Sequence, residues 1–333
     1  MTSCSGAGIS HGVEQIRQTV FQKTREKPAA DYSEFLPLIL ERYHGRVLGV
    51  FMYGSVLSAV TKSATSFPDF FVVTDGYRGV FKKFLHWLLA WVLPPHIYHL
   101  NAPSGAHCKY NLVSIAQFRR QCSAKADDIY ILGRFGKRVA LIWSRDQQAA
   151  DELCECCFQA ARAVALWTAR GLSEPLTGER FARDCLNLSY RGETRVEAGS
   201  KVEKLFQAER DYYLAVYPRL AALDDRLRPL LEVSADGQIT PRPSRWRRLR
   251  QRWFLKKSRI RGIARWPKFL ITVEGWVDIL LAKIERTKGI RIELTPRERK
   301  YPLIFGWKYF FRLLRAGAIR SAPEKPPSGE KEG

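Results

Sequence analysis

The segment Val47–Tyr53 constrains the fold most, because it is an unbroken apolar run that stops abruptly at Gly54-Ser55. A run this short between polar segments is typical of a buried β-strand rather than a helix. A second apolar run, Phe70–Thr74, follows a polar loop and predicts another strand. The pattern therefore predicts an α/β (α+β) fold. In this half of the chain the pattern also predicts two helices, one over Tyr32–Tyr43 with Asp31 as N-cap and one over Arg78–Leu93. It predicts two further strands, at Tyr110–Val113 and Val139–Trp143.

Shifts in composition and periodicity divide the chain into regions. An N-terminal extension is predicted over residues 1–30 and an α/β domain over residues 31–146. Apolar residues then recur at helical spacing, which predicts a mostly helical second domain over residues 147–232. Residues 233–322 are predicted to be a basic, Trp-bearing, helical C-terminal region, and residues 323–333 a disordered tail.

The chain is strongly basic, since 55 Lys and Arg against 33 Asp and Glu give its 333 residues a formal net charge of +22. Such a surplus indicates a polyanionic partner: a nucleic acid, an anionic membrane surface or a phosphate-rich substrate. The 7 cysteines, an odd number, do not indicate a secreted disulfide framework. The longest apolar run, Phe84–Pro94, is about half the ~20 residues that a membrane span needs. We therefore expect a cytoplasmic protein without a membrane-spanning helix.

The positive charge is concentrated between Arg242 and Lys268, where twelve Lys or Arg residues occur without any acidic residue. Trp246, Trp253 and Trp266 are interleaved with them. Each Lys or Arg near an anionic leaflet contributes about 1 kcal/mol, and Trp favours the headgroup layer, so the run favours docking on a membrane. Nucleic-acid binding through charge and aromatic stacking is a competing interpretation, and a solvated basic linker is another.

Three other motifs are open to two interpretations each. The apolar segment Phe81–Leu93 is either an interfacial helix or an ordinary core helix. The pair His96 and His99 has the spacing to chelate a metal, but two histidines alone are more often structural. Cys154 and Cys157 lack the second Cys pair of a zinc site and fit better as small buried residues on a helix face.

The chemistry is expected where the first predicted strand ends in Gly54-Ser55 and Asp69 opens the next. This arrangement is typical of nucleotidyltransferases of the polymerase-β type. The glycine lets the backbone approach a triphosphate, and the serine hydroxyl with nearby N–H groups can hold it. A carboxylate at the strand start can bind Mg²⁺. Most such enzymes carry a second acid two residues on, where this chain has Phe71, and a simple strand–turn–strand is the alternative.

Four motifs between Gly49 and about Tyr217, about half of the chain, extend this similarity. They are Tyr53-Gly54-Ser55 with Asp69-Phe70, followed by segments 107–114, 128–139 and 188–195. In order and approximate spacing they resemble the mitochondrial-type phosphatidate cytidylyltransferases, the translocator assembly and maintenance family. That family shows Tyr-Gly-Ser and Asp-Phe, then Lys-Tyr-Gly-Val-Ile-Ser, Leu-Tyr-x-Ala-Gly-Arg-Leu-x-Lys-Pro and Leu-Ser-Tyr-Ser-Gly-Asp-x-Arg. This chain departs from the motifs at Asn111, Arg138 and Glu193, where the family has Gly, Pro and Asp.

The resemblance implies a nucleotidyltransferase-type mixed sheet flanked by helices and a magnesium-dependent reaction of CTP with phosphatidate, giving CDP-diacylglycerol and pyrophosphate. It implies Asp69 as a catalytic residue and metal ligand, with Lys109 as a second catalytic residue. Gly54 and Ser55 would hold the triphosphate, and Arg134 and Lys137 would also bind the nucleotide. The enzyme would be peripheral on the inner face of the membrane, which is the matrix face of the inner membrane in a mitochondrion.

Two other functions fit the residues. The first is a nucleotidyltransferase with the same fold whose acceptor is an RNA or a small molecule. The second is a non-catalytic basic adaptor for membranes or nucleic acid that has lost the second acid. The preference for CTP, the need for a lipid acceptor and the effect of replacing Asp69 distinguish these three functions.

Overall fold

The computed structural model describes residues 6–54, 57, 68–81, 83–193, 199–272, 294–295 and 297–298. The chain divides into two units, Met1–Thr272 and Val273–Gly333, and every element described below belongs to the first unit. The candidate residue Ser55 and the predicted tail lie outside the described residues.

Five strands of the described chain form one mixed sheet, which confirms the predicted α/β class. The pairing of β2 with β4 is parallel, whereas the other neighbours in the sheet are antiparallel. In sheet order the strands are β3 (His96–Asn101), β4 (His107–Ser114), β2 (Asp69–Thr74), β1 (Val47–Tyr53) and β5 (Ala140–Ser144).

Both faces of this sheet are covered, which explains why β1 and β2 are apolar along almost their whole length. One face packs against α2 (Phe35–Arg42), where the Phe35 and Phe70 ring centres lie 6.0 Å apart. The other face packs against α4 (Ile115–Gln121) and α5 (Ile129–Phe135). An aromatic cluster fills this second interface, with ring centres 4.7 to 6.0 Å apart, and its members are Phe51, Phe71, Phe118 and Phe135.

Helices from the middle of the chain form a layer beside the sheet. They are α6 (Gln147–Ala169), α7 (Gly178–Arg191), α8 (Gly199–Ala208) and α9 (Arg210–Leu223). A further helix, α1 (Gly6–Arg25), packs against α6 and α9 through Ile16, Val20 and Phe21. The residues predicted only as an N-terminal extension therefore contribute to the core. The narrow apolar face of α1 among Gln, Lys and Arg residues explains why composition did not indicate this.

Several predicted elements have different bounds in the structure. The helix predicted from Tyr32 begins at Phe35, because the Asp31 carboxylate accepts the Ser33 N–H at 2.9 Å in a local turn instead of capping a helix. Helix α3 (Phe84–Val92) starts later than the predicted Arg78, after a turn in which Gly79 has a φ of +76°. Strand β3 was not predicted, since its alternating His and Tyr residues suggested a chelating pair.

The basic region continues the same compact unit. A small sheet of β6 (Leu176–Thr177), β8 (Gln238–Pro241) and β7 (Leu231–Val233) precedes the 28-residue helix α10 (Arg245–Thr272). The inner face of α10 packs on the helical layer, where the Phe254 ring stacks on Trp167 with centres 4.0 Å apart. Every helix in the described part of the chain is too short or too polar to traverse a bilayer.

Candidate active site

The candidate site lies at one edge of the mixed sheet, where β1 ends and β2 begins. The backbone register places Tyr53, Asp69, Lys109 and His99 side by side on β1, β2, β4 and β3. Because paired residues of neighbouring strands project to the same face, these four side chains share the face that carries Phe71. The fold thus brings together Asp69 and Lys109, which are 40 positions apart in the sequence.

Gly54 ends β1 in a conformation that favours glycine, with a φ of +92°. A Cβ atom at this position would lie 3.2 Å from the Asp69 Oδ2 atom, so the carboxylate packs closely over the bare glycine backbone. The Leu57 N–H donates to the Gly54 carbonyl at 3.2 Å, which turns the chain sharply after the strand. Gly54 therefore allows the close approach of the Asp69 carboxylate to the turn, and its predicted contact with a triphosphate stays a prediction.

The Asp69 carboxylate is half-buried, and carboxylate oxygens are ligands that bind hard cations such as Mg²⁺. Within the described residues, no three His, Cys, Asp or Glu side chains converge on a metal-binding group. Mg²⁺ needs no such group, because it usually binds through one or two carboxylates together with substrate phosphates and water. The close approach of the Asp69 carboxylate to the Gly54 turn fits a magnesium–nucleotide complex, in which the nucleotide supplies most of the ligands.

A chain of polar side chains lies beside Asp69 under the sheet edge. The Tyr130 hydroxyl donates to Asn111 Oδ1 at 3.1 Å, and Asn111 Nδ2 donates to the Tyr53 hydroxyl oxygen at 2.5 Å. Burial and the nearby negative charge of Asp69 raise the pKa of Tyr53, while Arg134 opposes this shift. Tyr53 therefore stays protonated over the whole physiological range and retains an O–H donor beside the carboxylate.

Arg134 is buried next to this polar chain. Its guanidinium lies 3.6 Å from the centre of the Tyr130 ring and donates to Glu193 at 2.8 Å. Burial alone would lower the pKa of Arg134, but the negative charge of Glu193 raises it above the ordinary value. Arg134 is only 9% exposed, so most of its hydrogen-bonding capacity is directed into the protein. Its predicted contact with the nucleotide remains a prediction, and the pair with Glu193 was not expected.

The two predicted lysines occupy different places. Lys109 lies next to Asp69 in the row of residues. Burial lowers the pKa of His99, and the positive charges of Lys109 and His107 lower it further. His99 is therefore neutral at physiological pH and leaves Lys109 as the adjacent cation. Lys137 follows α5, and its Nζ lies 4.1 Å from the centre of the Tyr190 ring near the end of α7. The structure thus places Lys109 beside Asp69, and Lys137 against the wall formed by α7.

The sequence motifs predict no role for Asn111, Tyr130 or Glu193, although all three residues lie within them. Asn111 is fully buried in the middle of an apolar strand, which is unusual for an amide without a partner. That position was therefore a usable signal of a buried polar network. Glu193 gave no such signal, because an acid after a helix end is ordinary in sequence.

Comparisons with known proteins do not identify a family. No protein-family model matches the chain, and no curated protein matches it significantly. The interpretation of the site therefore depends on its own geometry and on the sequence motifs.

The site has the charges and donors for handling a phosphorylated nucleotide. Lys109 supplies positive charge next to Asp69, and Asp69 supplies a carboxylate at a turn with a close backbone approach, whereas the charge of Arg134 is paired with Glu193. Such an arrangement can neutralise a triphosphate and hold a metal–phosphate complex at the strand edge. A nucleophilic triad is not needed for this chemistry, because phosphoryl-type transfer depends mainly on positioning and charge neutralisation.

Proposed function

We propose that the protein is a phosphatidate cytidylyltransferase that converts CTP and phosphatidate into CDP-diacylglycerol and pyrophosphate. The observation that carries this proposal is the position of Asp69, which opens β2 against the positive-φ turn at Gly54 and lies in register with Lys109. The motifs of the resembled family fall on this site: Tyr53, Asp69 and Lys109 form its row, and Arg134 lies beside Tyr53.

The proposed reaction joins two anions, so the main task of the protein is to reduce their repulsion. An oxygen of the phosphatidate phosphate forms a bond to the α-phosphorus of CTP, and the bond from that phosphorus to the bridging oxygen of pyrophosphate breaks. The attacking oxygen is already ionised at neutral pH, so a strong general base is not required. Lys109 would counter the charge at the acceptor or the triphosphate, and the Gly54 turn would hold the triphosphate backbone.

A magnesium ion, held by Asp69 and the nucleotide phosphates, would supply further charge neutralisation when bound. The protein contributes by orienting this carboxylate. Gly54 leaves room for it, and the Tyr53 hydroxyl lies close enough to be influenced by its charge. Both contributions are features of the described chain and can be tested separately from the metal.

The proposal includes docking on an anionic membrane through the outward face of α10. Trp246, Leu249, Trp253, Ile260 and Ile263 are all exposed and recur at helical spacing, which places them in one stripe. Exposed Arg and Lys side chains flank this stripe, and they are Arg245, Arg250, Arg252, Lys256 and Arg259. An apolar stripe containing Trp with cationic borders matches the headgroup layer of an anionic bilayer.

Helix α3 extends the apolar surface, which favours the interfacial interpretation of this segment over a core helix. Phe84 is 73% exposed and Trp91 is 59% exposed, values that a core helix would not show. The end of α3 meets α10 where the Arg261 guanidinium donates to the Val92 carbonyl at 2.9 Å. Two neighbouring helices of one compact unit therefore present large apolar side chains.

The deciding experiment measures pyrophosphate release and CDP-diacylglycerol formation by the full chain, with CTP, Mg²⁺ and phosphatidate in phosphatidylglycerol vesicles. We expect release that requires phosphatidate and prefers CTP over the other nucleotides. Asp69→Asn keeps the size of the side chain but removes its charge, and we expect it to lower turnover by about 100-fold or more. The matched control is Asp75→Asn, since Asp75 directly follows the other end of the same strand and is exposed.

The alternative functions give different results in this assay. Pyrophosphate release from CTP that does not depend on phosphatidate would support a nucleotidyltransferase with an RNA or small-molecule acceptor. Vesicle binding without any release, and without an effect of Asp69→Asn, would refute the enzymatic proposal and support a non-catalytic adaptor.

A further inference from the structure

Two chain segments form one wall of the candidate site, beside Tyr53 and Asn111. One is α5, which carries Tyr130 and Arg134, and the other is the end of α7, which leads into Glu193. They cross closely at Gly133, where an added Cβ would lie 2.5 Å from the Ser189 Cβ atom. The ion pair between Arg134 and Glu193 therefore depends on how α5 and α7 are held relative to one another.

The inner face of α10 contacts both segments through one hydroxyl group. The Ile129 N–H at the start of α5 donates to Ser258 Oγ at 3.1 Å. The Ser258 hydroxyl in turn donates to the carbonyl of Gly192, the residue before Glu193, at 2.9 Å. Ser258 is only 3% exposed, so water does not compete freely for these two bonds.

Two arginines, one and two turns beyond Ser258 on α10, contact the same end of α5. The Asp128 carboxylate caps α5 by accepting the Tyr130 N–H, and both Arg261 and Arg265 donate to it at 2.7 Å. Arg265 also lies 4.6 Å from the centre of the Tyr130 ring. Although its burial alone would raise the pKa of Asp128, the charge of Arg265 and the hydrogen bond from Arg261 lower it, which keeps the carboxylate ionised.

We propose that α10 positions the candidate active site, with Ser258 and Arg265 as positioning residues that hold α5 and the end of α7 so that Arg134 meets Glu193. This inference rests on the proposed function for the change in kcat that it predicts. The change in amide hydrogen exchange that it predicts does not depend on that function. It gives the basic helix a second role, because its outward face carries the docking surface and its inward face holds the wall of the site.

The test compares Ser258→Ala with Gln251→Ala in the full chain. Gln251 is also buried on α10, but its side chain donates to the Trp167 carbonyl on α6 at 2.8 Å and not to α5 or the end of α7. Ser258→Ala loses two buried hydrogen bonds of this helix and Gln251→Ala loses one, so a general loss of stability affects both variants. We expect Ser258→Ala alone to lower kcat about tenfold while KM for phosphatidate stays within about twofold, because the site wall shifts slightly. Ser258→Thr keeps the hydroxyl and should restore kcat.

Amide hydrogen exchange gives a second measurement that needs no activity. Ser258→Ala should accelerate exchange at the Ile129 amide and in α5 about tenfold relative to Gln251→Ala. Arg265→Lys, which keeps the charge opposite Asp128 but loses the planar guanidinium, should act in the same direction.

The two measurements separate failure of this inference from failure of the proposed function. If the unaltered chain releases no pyrophosphate from CTP, the proposed function fails, and the exchange rates alone decide the positioning role. The inference would be overturned if Ser258→Ala and Gln251→Ala had the same exchange rates in α5 and the same kcat.

Discussion

The substitution Gly54→Ala tests the central geometric feature of the candidate site. It adds a single carbon at a position where φ is +92° and where the new Cβ would lie 3.2 Å from the Asp69 Oδ2 atom. Two separate effects follow. The backbone adopts a conformation that is costly for any residue with a side chain, and the carboxylate has to move by a few tenths of an ångström.

The size of each effect can be worked out separately. The backbone conformation costs about 1–3 kcal/mol of the free energy of unfolding. Displacing a catalytic group by about 1 Å costs about 100-fold in rate, so a shift of a few tenths of an ångström should cost about tenfold. We therefore expect Gly54→Ala to reduce both the stability of the protein and its turnover of CTP.

Gly105→Ala is the matched control, since Gly105 also has a positive φ, +83°, but an added Cβ there meets no described atom within 4 Å. Urea unfolding should show a similar loss of stability in both variants. Pyrophosphate release, measured well below both unfolding transitions, should fall about tenfold only in Gly54→Ala. Equal turnover in the two variants would refute the close contact between Gly54 and the Asp69 carboxylate as a requirement for activity.

Two further predictions concern the docking surface and the pH dependence of stability. Trp253→Ala removes a ring that is 61% exposed and should weaken co-sedimentation with phosphatidylglycerol vesicles about tenfold, and unchanged binding would contradict the proposed surface. Burial, together with the charges of Lys268 and His86, lowers the pKa of His96 to about 2. Below about pH 6.5 the unfolded chain therefore binds a proton at this histidine that the folded chain does not bind. This histidine therefore lowers the stability of the fold as the pH falls below that value, and His96→Phe should abolish about 2 kcal/mol of the loss between pH 6.5 and 4.5 in urea unfolding. An unchanged pH dependence would contradict this assignment.

The parts of the fold that were predictable are those in which local pattern and burial agree. The bounds of β1 were predicted correctly, because both of its faces are buried and the run is apolar throughout. Strand β3 was missed since it lies at the edge of the sheet, where its polar and aromatic residues are only partly covered. Helix α1 was missed for a related reason, as only a narrow stripe containing Ile16 and Val20 is buried.

The candidate site was predictable only in part, because its residues come from separate elements. The turn at Gly54 follows a predicted strand and Asp69 opens the next one, so both are visible in the sequence. The pairing of Asp69 with Lys109 depends on the parallel register of β2 and β4, which no local pattern specifies. The same holds for the contact of Ser258 with Ile129, which joins residues 129 positions apart.

The stacking of Phe254 on Trp167 has a practical consequence for anyone shortening the chain. A strongly basic C-terminal helix is an obvious segment to remove when the yield of bacterial expression is low. Cutting the chain before Arg245 would, however, remove the Phe254 ring that stacks on Trp167 and the Gln251 side chain that donates to the Trp167 carbonyl. The shortened protein would expose a large aromatic surface and aggregate sooner than the full chain. Replacing the outward Trp246 and Trp253 with polar residues should improve handling while leaving the inner face of the helix in place.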